Sequence, residues 1–377
     1  LFDIVARKTR FPSVILLMLV GVSMQFVLPE DILSKNIGNL LQVLGTVGLI
    51  LIVLEGGMDV HITKEKKWFI LRCLLSSLVV LLASSFLLAG VFYLLVDAPY
   101  YSCFVNAVPL SVISSAIAIP SAASLSPENK EFVVYESTFS DILGIILFNF
   151  VVTNDSIDFA AFGGLSLQIV LVTILSAAFS LVLFKMIEQI THKVKFFLIL
   201  ALLIIMYVLG KNYLHLPSLL MVFIFGLLLS NREMFILPQI KKYFNTEGFD
   251  PHFKEFFLIT AESAFIIRTF FFVVFGFFVP LGSLAHGTVL LLGVLVFGVV
   301  LLVRYIYMLV AKAEPVNILT LIAPRGLITI LLFLQLPDKY KIVDVNEGVL
   351  FIVICLSLAA LTMGTMISGK KPPESIT

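Results

Sequence analysis

Apolar residues follow one another through long stretches of this chain, and the polar interruptions between them mark off its elements. A bilayer's hydrocarbon core of about 30 Å is crossed by about 20 helical residues rising about 1.5 Å each. Runs of that kind cover twelve ranges: 12–28, 37–60, 68–96, 102–125, 132–153, 163–185, 196–213, 216–231, 254–281, 286–310, 316–335 and 347–368. They are continuously apolar rather than alternating, which predicts helices and not strands. The pair 196–213 and 216–231 is divided only by the polar, proline-containing stretch Lys211 to Pro217.

Two of the runs carry internal prolines that predict broken helices. One is Pro120 within Ala116-Ile117-Ala118-Ile119-Pro120-Ser121-Ala122-Ala123, and the other is Pro324-Arg325-Gly326. Proline removes a backbone donor and crowds the preceding turn. Unwound backbone at membrane depth is tolerated only where protein buries it or where it lines a cavity. The two runs are seven spans apart, so their helices point in opposite directions. This is the pattern of an inverted-repeat transporter with two crossed broken helices and a site between them.

Composition supports a membrane solvent. Of the 377 residues 60% are hydrophobic and 13% charged, and mean hydropathy is +1.11. A soluble protein of this size could not cover so much apolar surface. The net charge of +1 argues against a nucleic-acid partner. No metal-ligand spacing, phosphate loop or nucleophile elbow is visible, which predicts neither an enzyme nor a bound cofactor. Cys73 and Cys103 fall near opposite faces of the membrane, so no disulfide is expected between them. No secretory signal opens the chain at Leu1, and the missing initiator methionine predicts a further N-terminal piece.

Basic residues set the direction. With the first residues in the cytoplasm, 18 of the 25 lysines and arginines fall in cytoplasmic segments (Arg7, Lys8, Arg10, Lys64, Lys66, Lys67, Arg72, Lys130, Lys185, Lys193, Lys195, Arg232, Lys241, Lys242, Lys254, Lys312, Lys370, Lys371). Four fall outside (Lys35, Lys211, Lys339, Lys341), and Arg268, Arg304 and Arg325 lie within spans. A miscounted span would reverse every later loop and destroy this bias. The expectation is an all-α polytopic protein of the cell membrane with both ends of the chain cytoplasmic.

Asp141 sits mid-way along the run from Phe132 to Val152, in the polar row Tyr135-Glu136-Ser137-Thr138-Phe139-Ser140-Asp141. A carboxylate at membrane depth costs roughly 2.5–3.5 kcal/mol on insertion scales and usually lines a cavity or ion path. The alternative is a structural salt bridge, and with two carboxylates in one span each role can be filled. Ser137 and Asp141, four residues apart, share one helix face; Glu136 and Ser140 share the next. A hard monovalent cation takes oxygen ligands. Asp141, Ser137 and carbonyls freed near Pro120 can supply them. Glu55, in another run, is a further candidate ligand or else a carboxylate near the cytoplasmic interface. Arg268 and Glu262 are read as a structural or gating pair in neighbouring turns.

Four stretches resemble the cation:proton antiporter superfamily, and within it the sodium/proton exchanger branch. They are Pro12 to Gly21, Leu49-Ile50-Leu51-Ile52-Val53-Leu54-Glu55-Gly56-Gly57-Met58, Glu136-Ser137-Thr138-Phe139-Ser140-Asp141, and Arg304-Tyr305 with Pro324-Arg325-Gly326-Leu327. The resemblance extends over nearly the whole chain. It implies a homodimer in membrane lipid, with a dimerisation subdomain from 1–60 and 163–282 and an ion-transporting core from 68–153 and 286–369 that moves in an elevator-like way. It also implies thirteen spans in the full-length protein, the first preceding Leu1. It makes Asp141, Ser137, Ser140, Glu55, Ala118 and Ile119 the cation and proton site, and opposes Glu136 to Arg304, with Arg325 nearby.

Two departures qualify the implied activity. The family's Asn-Asp pair reads Ser140-Asp141, and its Thr-Asp-Pro reads Ala118-Ile119-Pro120. One ionisable group then stands where electrogenic relatives have two, which predicts electroneutral exchange of Na⁺ for H⁺. A single carboxylate alternates between proton and cation near neutral pH only if its surroundings favour the proton more than water does. Nearby guanidinium groups oppose this unless they are neutralised, and Glu136 is the partner for that. The remaining alternatives are K⁺/H⁺ exchange, or a channel or sensor subunit that keeps the fold without coupled exchange.

Overall fold

The structure, a computed structural model, describes residues 13–27, 36–63, 65–154, 159–189, 195–213, 216–231, 249–279, 281–284 and 286–368. Pro12 and the basic residues Arg7, Lys8, Arg10, Lys35, Lys64, Lys193, Arg232, Lys241, Lys242, Lys370 and Lys371 lie outside the described residues. The described elements are helical throughout: α1 (Ser13–Met24), α2 (Asn36–Asp59), α3 (Lys67–Leu95), α4 (Tyr100–Ser111), α5 (Ser115–Ser121), α6 (Pro127–Thr153), α7 (Phe159–Gln189) and α8 (Lys195–Asn212). They continue as α9 (Ser218–Ser230), α10 (Phe249–Phe278), α11 (Leu281–Leu284), α12 (Gly287–Val310), α13 (Val316–Leu321), α14 (Leu327–Leu334) and α15 (Glu347–Ser368). Short 3₁₀ turns occupy Ala122–Ser124 and Asp338–Tyr340.

Every apolar run of the sequence coincides with a helix or with a pair of half-helices, because a backbone in hydrocarbon must satisfy its own polar groups. Among the described residues seven helical segments are long and apolar enough to cross a membrane, and three shorter apolar helices accompany them. The protein is therefore an all-helical, multi-span membrane protein.

Contacts divide the chain into two units. The first comprises Leu1–Leu41, Trp68–Phe148 and Thr269–Thr377, the second Gln42–Lys67 and Asn149–Arg268. In the first unit α12, α13 and α15 pack on one another, and α14 packs against α4. In the second unit α9 packs against α7 and α8.

Within the second unit α2 and α9 approach so closely that neither crossing glycine has space for a side chain. A Cβ on Gly57 would lie 2.5 Å from the Phe223 carbonyl oxygen, and one on Gly226 would lie 2.7 Å from that of Leu54. Small residues permit this kind of backbone contact where no hydrophobic effect drives helices together. The C-terminal ends of the same two helices are tied by Asn231, whose Oδ1 accepts the Ile62 N–H at 2.6 Å and whose Nδ2 donates to the Val60 carbonyl at 2.7 Å.

Gly226→Ala is expected to destabilise the protein by about 1–3 kcal/mol, because backbone rather than a flexible side chain must move. Gly90→Ala in α3, where a Cβ meets nothing within 4 Å, is expected to be neutral or slightly stabilising. Thermal melting of both variants in detergent checks the contrast; equal melting would contradict the close-crossing account.

Candidate functional site

Two helices of the first unit are broken, and their breaks meet. The first break is the extended stretch Val112–Ser114 between α4 and α5, and the second is 322–326 between α13 and α14. The second falls on Pro324, as the sequence predicts. The first falls eight residues ahead of the predicted point at Pro120, which instead lies inside α5. Pro109, inside α4, is the proline that precedes this interruption, and the missing N–H belongs to it. A consequence is that the Ala118 and Ile119 carbonyls are not freed. Both accept the Ala122 N–H at the end of α5.

The two breaks are joined backbone to backbone by the Ser114 N–H donating to the Pro324 carbonyl at 2.9 Å. Gly326 permits this contact, since a Cβ there would lie 2.5 Å from Ile117 Cδ1 and 2.7 Å from Ser114 Oγ. The donors and acceptors left over by unwinding are taken up by side chains. The Ile113 N–H donates to Ser140 Oγ at 2.9 Å. The Ser115 N–H donates to Asp141 Oδ2 at 3.0 Å, and the Ser115 hydroxyl donates to the same oxygen. Asp141 thus closes the N-terminus of α5, where the first N–H groups of a helix and its positive dipole end favour a carboxylate.

Arginines serve the opposite ends. Arg304, on α12, donates from Nε to the Leu319 carbonyl at 2.9 Å and reaches the Ile322 carbonyl at 3.5 Å, closing the C-terminus of α13. Its other face holds Glu136 in a two-pronged pair, Nη1 to Oε1 at 3.1 Å and Nη2 to Oε2 at 2.8 Å. Glu136 Oε1 also accepts the Ser76 hydroxyl at 2.6 Å. Both members of the pair are 1% exposed. Arg325 does not bind Glu136. It donates to the carbonyls of Leu110, Ser111 and Ala323 at 3.2, 3.3 and 2.7 Å, closing the C-terminus of α4.

The structure therefore brings Asp141, Ser140, Glu136, Arg304 and Arg325 onto one pair of broken helices. Ser137 is buried on α6 and donates to the Val133 carbonyl at 2.7 Å, which leaves its oxygen lone pairs for another partner. Glu55 belongs to the second unit, where Arg268 Nη2 holds its Oε2 at 2.9 Å. Arg268 thus meets a residue 213 positions away and not Glu262, because six residues on one helix do not share a face. Cys73 and Cys103 are free thiols.

Two hydroxyls that sequence reasoning passed over stand at the first break: Ser115 binds Asp141, and Ser114 Oγ is buried with no hydrogen-bond partner among the described residues, as is Thr138 Oγ1 on α6. The pair Ser114-Ser115 ahead of an apolar stretch is a helix-start signal, and Ser114 indeed stands at the N-cap position of α5, although Asp141 and not its hydroxyl takes the first donors. Ser76 carries no such signal, since nothing local links it to Glu136 sixty residues on.

A multi-span helical bundle in which two interrupted helices meet beside a buried carboxylate defines a secondary transporter. The chain belongs to the sodium/hydrogen exchanger family: residues 1–369 match the family described as "sodium/hydrogen exchanger, transmembrane". It is a transporter of that family and not an enzyme. Comparison with curated protein sequences returns no match. Among solved structures the fold is similar to that of the sodium proton antiporter MjNhaP1 from Methanocaldococcus jannaschii at pH 8. The TM-score is 0.74 at 20% identity, covering 97% of this chain and 94% of that one. An electron-microscopy map of the same antiporter gives a TM-score of 0.62 at 19% identity, covering 97% and 89%.

Removing the charge of Glu136 leaves Arg304 buried without its counter-ion, a change of the kind that costs about 3–5 kcal/mol. Glu136→Gln is therefore expected to melt well below Asp141→Asn, whose replacement amide can still accept from Ser115. Equal melting, or a less stable Asp141→Asn, would contradict this division.

Proposed function

We propose that this chain exchanges one Na⁺ for one H⁺ across the membrane, electroneutrally, by elevator-type alternating access, with Asp141 as the group that carries either ion in turn. The observation that carries the proposal is the placement of Asp141. It is a carboxylate 5% exposed at membrane depth, set where a helix break leaves hydroxyls and backbone groups beside it. Ser137, Ser114, Thr138 and Ser140 offer oxygen ligands of the kind a hard monovalent cation takes. The Ser115 donors hold the carboxylate in place in its charged form and have to yield part of their hold when the oxygen takes a proton.

In this reading Glu136 is structural. Its pairing with Arg304 neutralises one guanidinium and ties α6 to α12 and α13. Ala118 and Ile119 line the half-helix without giving it a charge, so Asp141 is the one titrating group of the site. With a single proton or a single monovalent cation on Asp141 the carrier bears the same charge, and a one-for-one exchange moves no net charge. The family membership and the sodium proton antiporter fold support Na⁺ over K⁺ as the cation. Twelve spans with both ends cytoplasmic, and a homodimer, complete the proposal.

A second reading keeps the fold but not coupled exchange, as a channel or sensor. It is favoured by Ile119 and Ser140, which stand where the family carries Asp and Asn. Proteoliposomes separate the two. Exchange requires that an imposed Na⁺ gradient move protons, and that Asp141→Asn abolish this while still inserting. Uptake unchanged in the Asn variant would remove Asp141 from the mechanism.

Under clamped potential the exchange rate is expected to change little. A transported net charge would feel about 2.3 kcal/mol per 100 mV, roughly a fifty-fold bias in the driving force. A steep response to voltage would contradict the one-for-one stoichiometry.

A further inference from the structure

Gly144 lies on α6 about one turn beyond Ser140 and Asp141, against the first break. It is buried, and a Cβ on it would lie 2.4 Å from Val112 Cγ2, 3.2 Å from Cγ1 and 3.4 Å from Cβ. Carbon atoms in good contact stand about 3.5–4.0 Å apart, so a side chain here would have to drive the valine back by about 1 Å. Valine is stiff at χ1, and Val112 is 0% exposed, so it has no open space to turn into. The backbone that carries it has to move instead.

That backbone is the extended stretch on which the site is built. Next in the chain is Ile113, whose N–H reaches Ser140, and two residues further Ser115 holds Asp141. Ser140 and Gly144 are four residues apart on one helix face, so they receive consecutive residues of the stretch. The Val112 carbonyl also accepts the Thr329 hydroxyl of α14 at 3.5 Å, which ties the same point to the second broken helix. Glycine weakens a helix interior. At this position it is what lets the stretch lie against α6.

We propose that Gly144 is a positioning residue that sets the cation preference of the site. By seating Val112 against α6 it fixes the gap between the extended stretch and Asp141 at a width that suits Na⁺ over the larger K⁺. A smaller ion needs its oxygen ligands closer, and cavity size and ligand placement discriminate between hard cations. The inference rests on the reading of Asp141 as the ion-carrying group. Its readout is a ratio between two cations, which a mere loss of folded protein does not move.

The test measures the half-saturating Na⁺ and K⁺ concentrations for proton movement in proteoliposomes at fixed pH. Binding groups displaced by about 1 Å can cost up to about 100-fold. Gly144→Ala is expected to need about ten-fold more Na⁺ with a smaller change for K⁺, so the preference moves toward K⁺. Adding Val112→Ala, which removes both methyls that the new Cβ meets, is expected to restore the preference for Na⁺. A ratio unchanged in Gly144→Ala overturns the inference, as does a shift that the second substitution leaves in place. Should Gly144→Ala not fold, Val112→Ile loads the same contact from the other side, and a ratio unmoved by it overturns the inference equally. The rise in melting temperature with NaCl over that with KCl reads the preference without transport. An unaltered chain that moves no protons but melts higher in Na⁺ loses the exchange reading alone, and the same variants then decide the inference by melting. No preference for Na⁺ by either measure overturns it.

Discussion

A backbone interrupted inside a membrane has no water to turn to, and this constraint organises the whole first unit. Two helices are broken, and each break leaves N–H groups on one side and carbonyls on the other. The N–H groups of Ile113 and Ser115 go to Ser140 and Asp141, and the Ser114 N–H goes to the Pro324 carbonyl. The carbonyls of Leu110 and Ser111 go to Arg325, and those of Leu319 and Ile322 to Arg304. Asp141, Arg304 and Arg325 each answer a backbone need at the breaks. One carboxylate, Asp141, stands at a helix N-terminus and the two guanidinium groups at C-termini, the arrangement that helix dipoles favour.

The same assignment separates the two carboxylates of α6. Glu136 has its oxygens filled by Arg304 and Ser76, so its charge is committed to the scaffold. Asp141 faces Ser115 and lies on the turn that carries Ser137, among hydroxyls that can rotate to follow a change in its charge. Under the proposed function, five residues along one helix divide holding from exchanging. The division rests on what stands opposite each residue, since both are carboxylic acids on the same helix. In the exchange we propose, proton or cation on Asp141 gives the same net charge, so one titrating group suits a one-for-one stoichiometry.

The second unit uses other means. Its α2 and α9 are held by crossing glycines and by Asn231, contacts made of shape and backbone rather than of charge. The Glu55–Arg268 pair there is half-buried, with side chains 21% and 14% exposed. A pair with that much exposure is a less enclosed structural element than the sealed Glu136–Arg304 pair.

By itself the sequence determined that the chain is a helical membrane protein, where its helices lie, and which acidic row stands against the broken helices. Hydrophobic length and the run of polar residues around Asp141 are local properties, and a bilayer reads them one segment at a time. The break at Pro324 was legible for the same reason. The first break was not: Pro120 is tolerated inside α5, while the interruption follows Pro109 and is held open by Ser140 and Asp141 from another helix. Tertiary structure alone decided that Arg268 meets Glu55 rather than Glu262, that Ser76 braces Glu136, and that Arg325 binds carbonyls instead of a carboxylate. These are contacts between residues 60 to 215 positions apart. No local pattern encodes such partners, because the free energy that selects them exists only once the helices have packed.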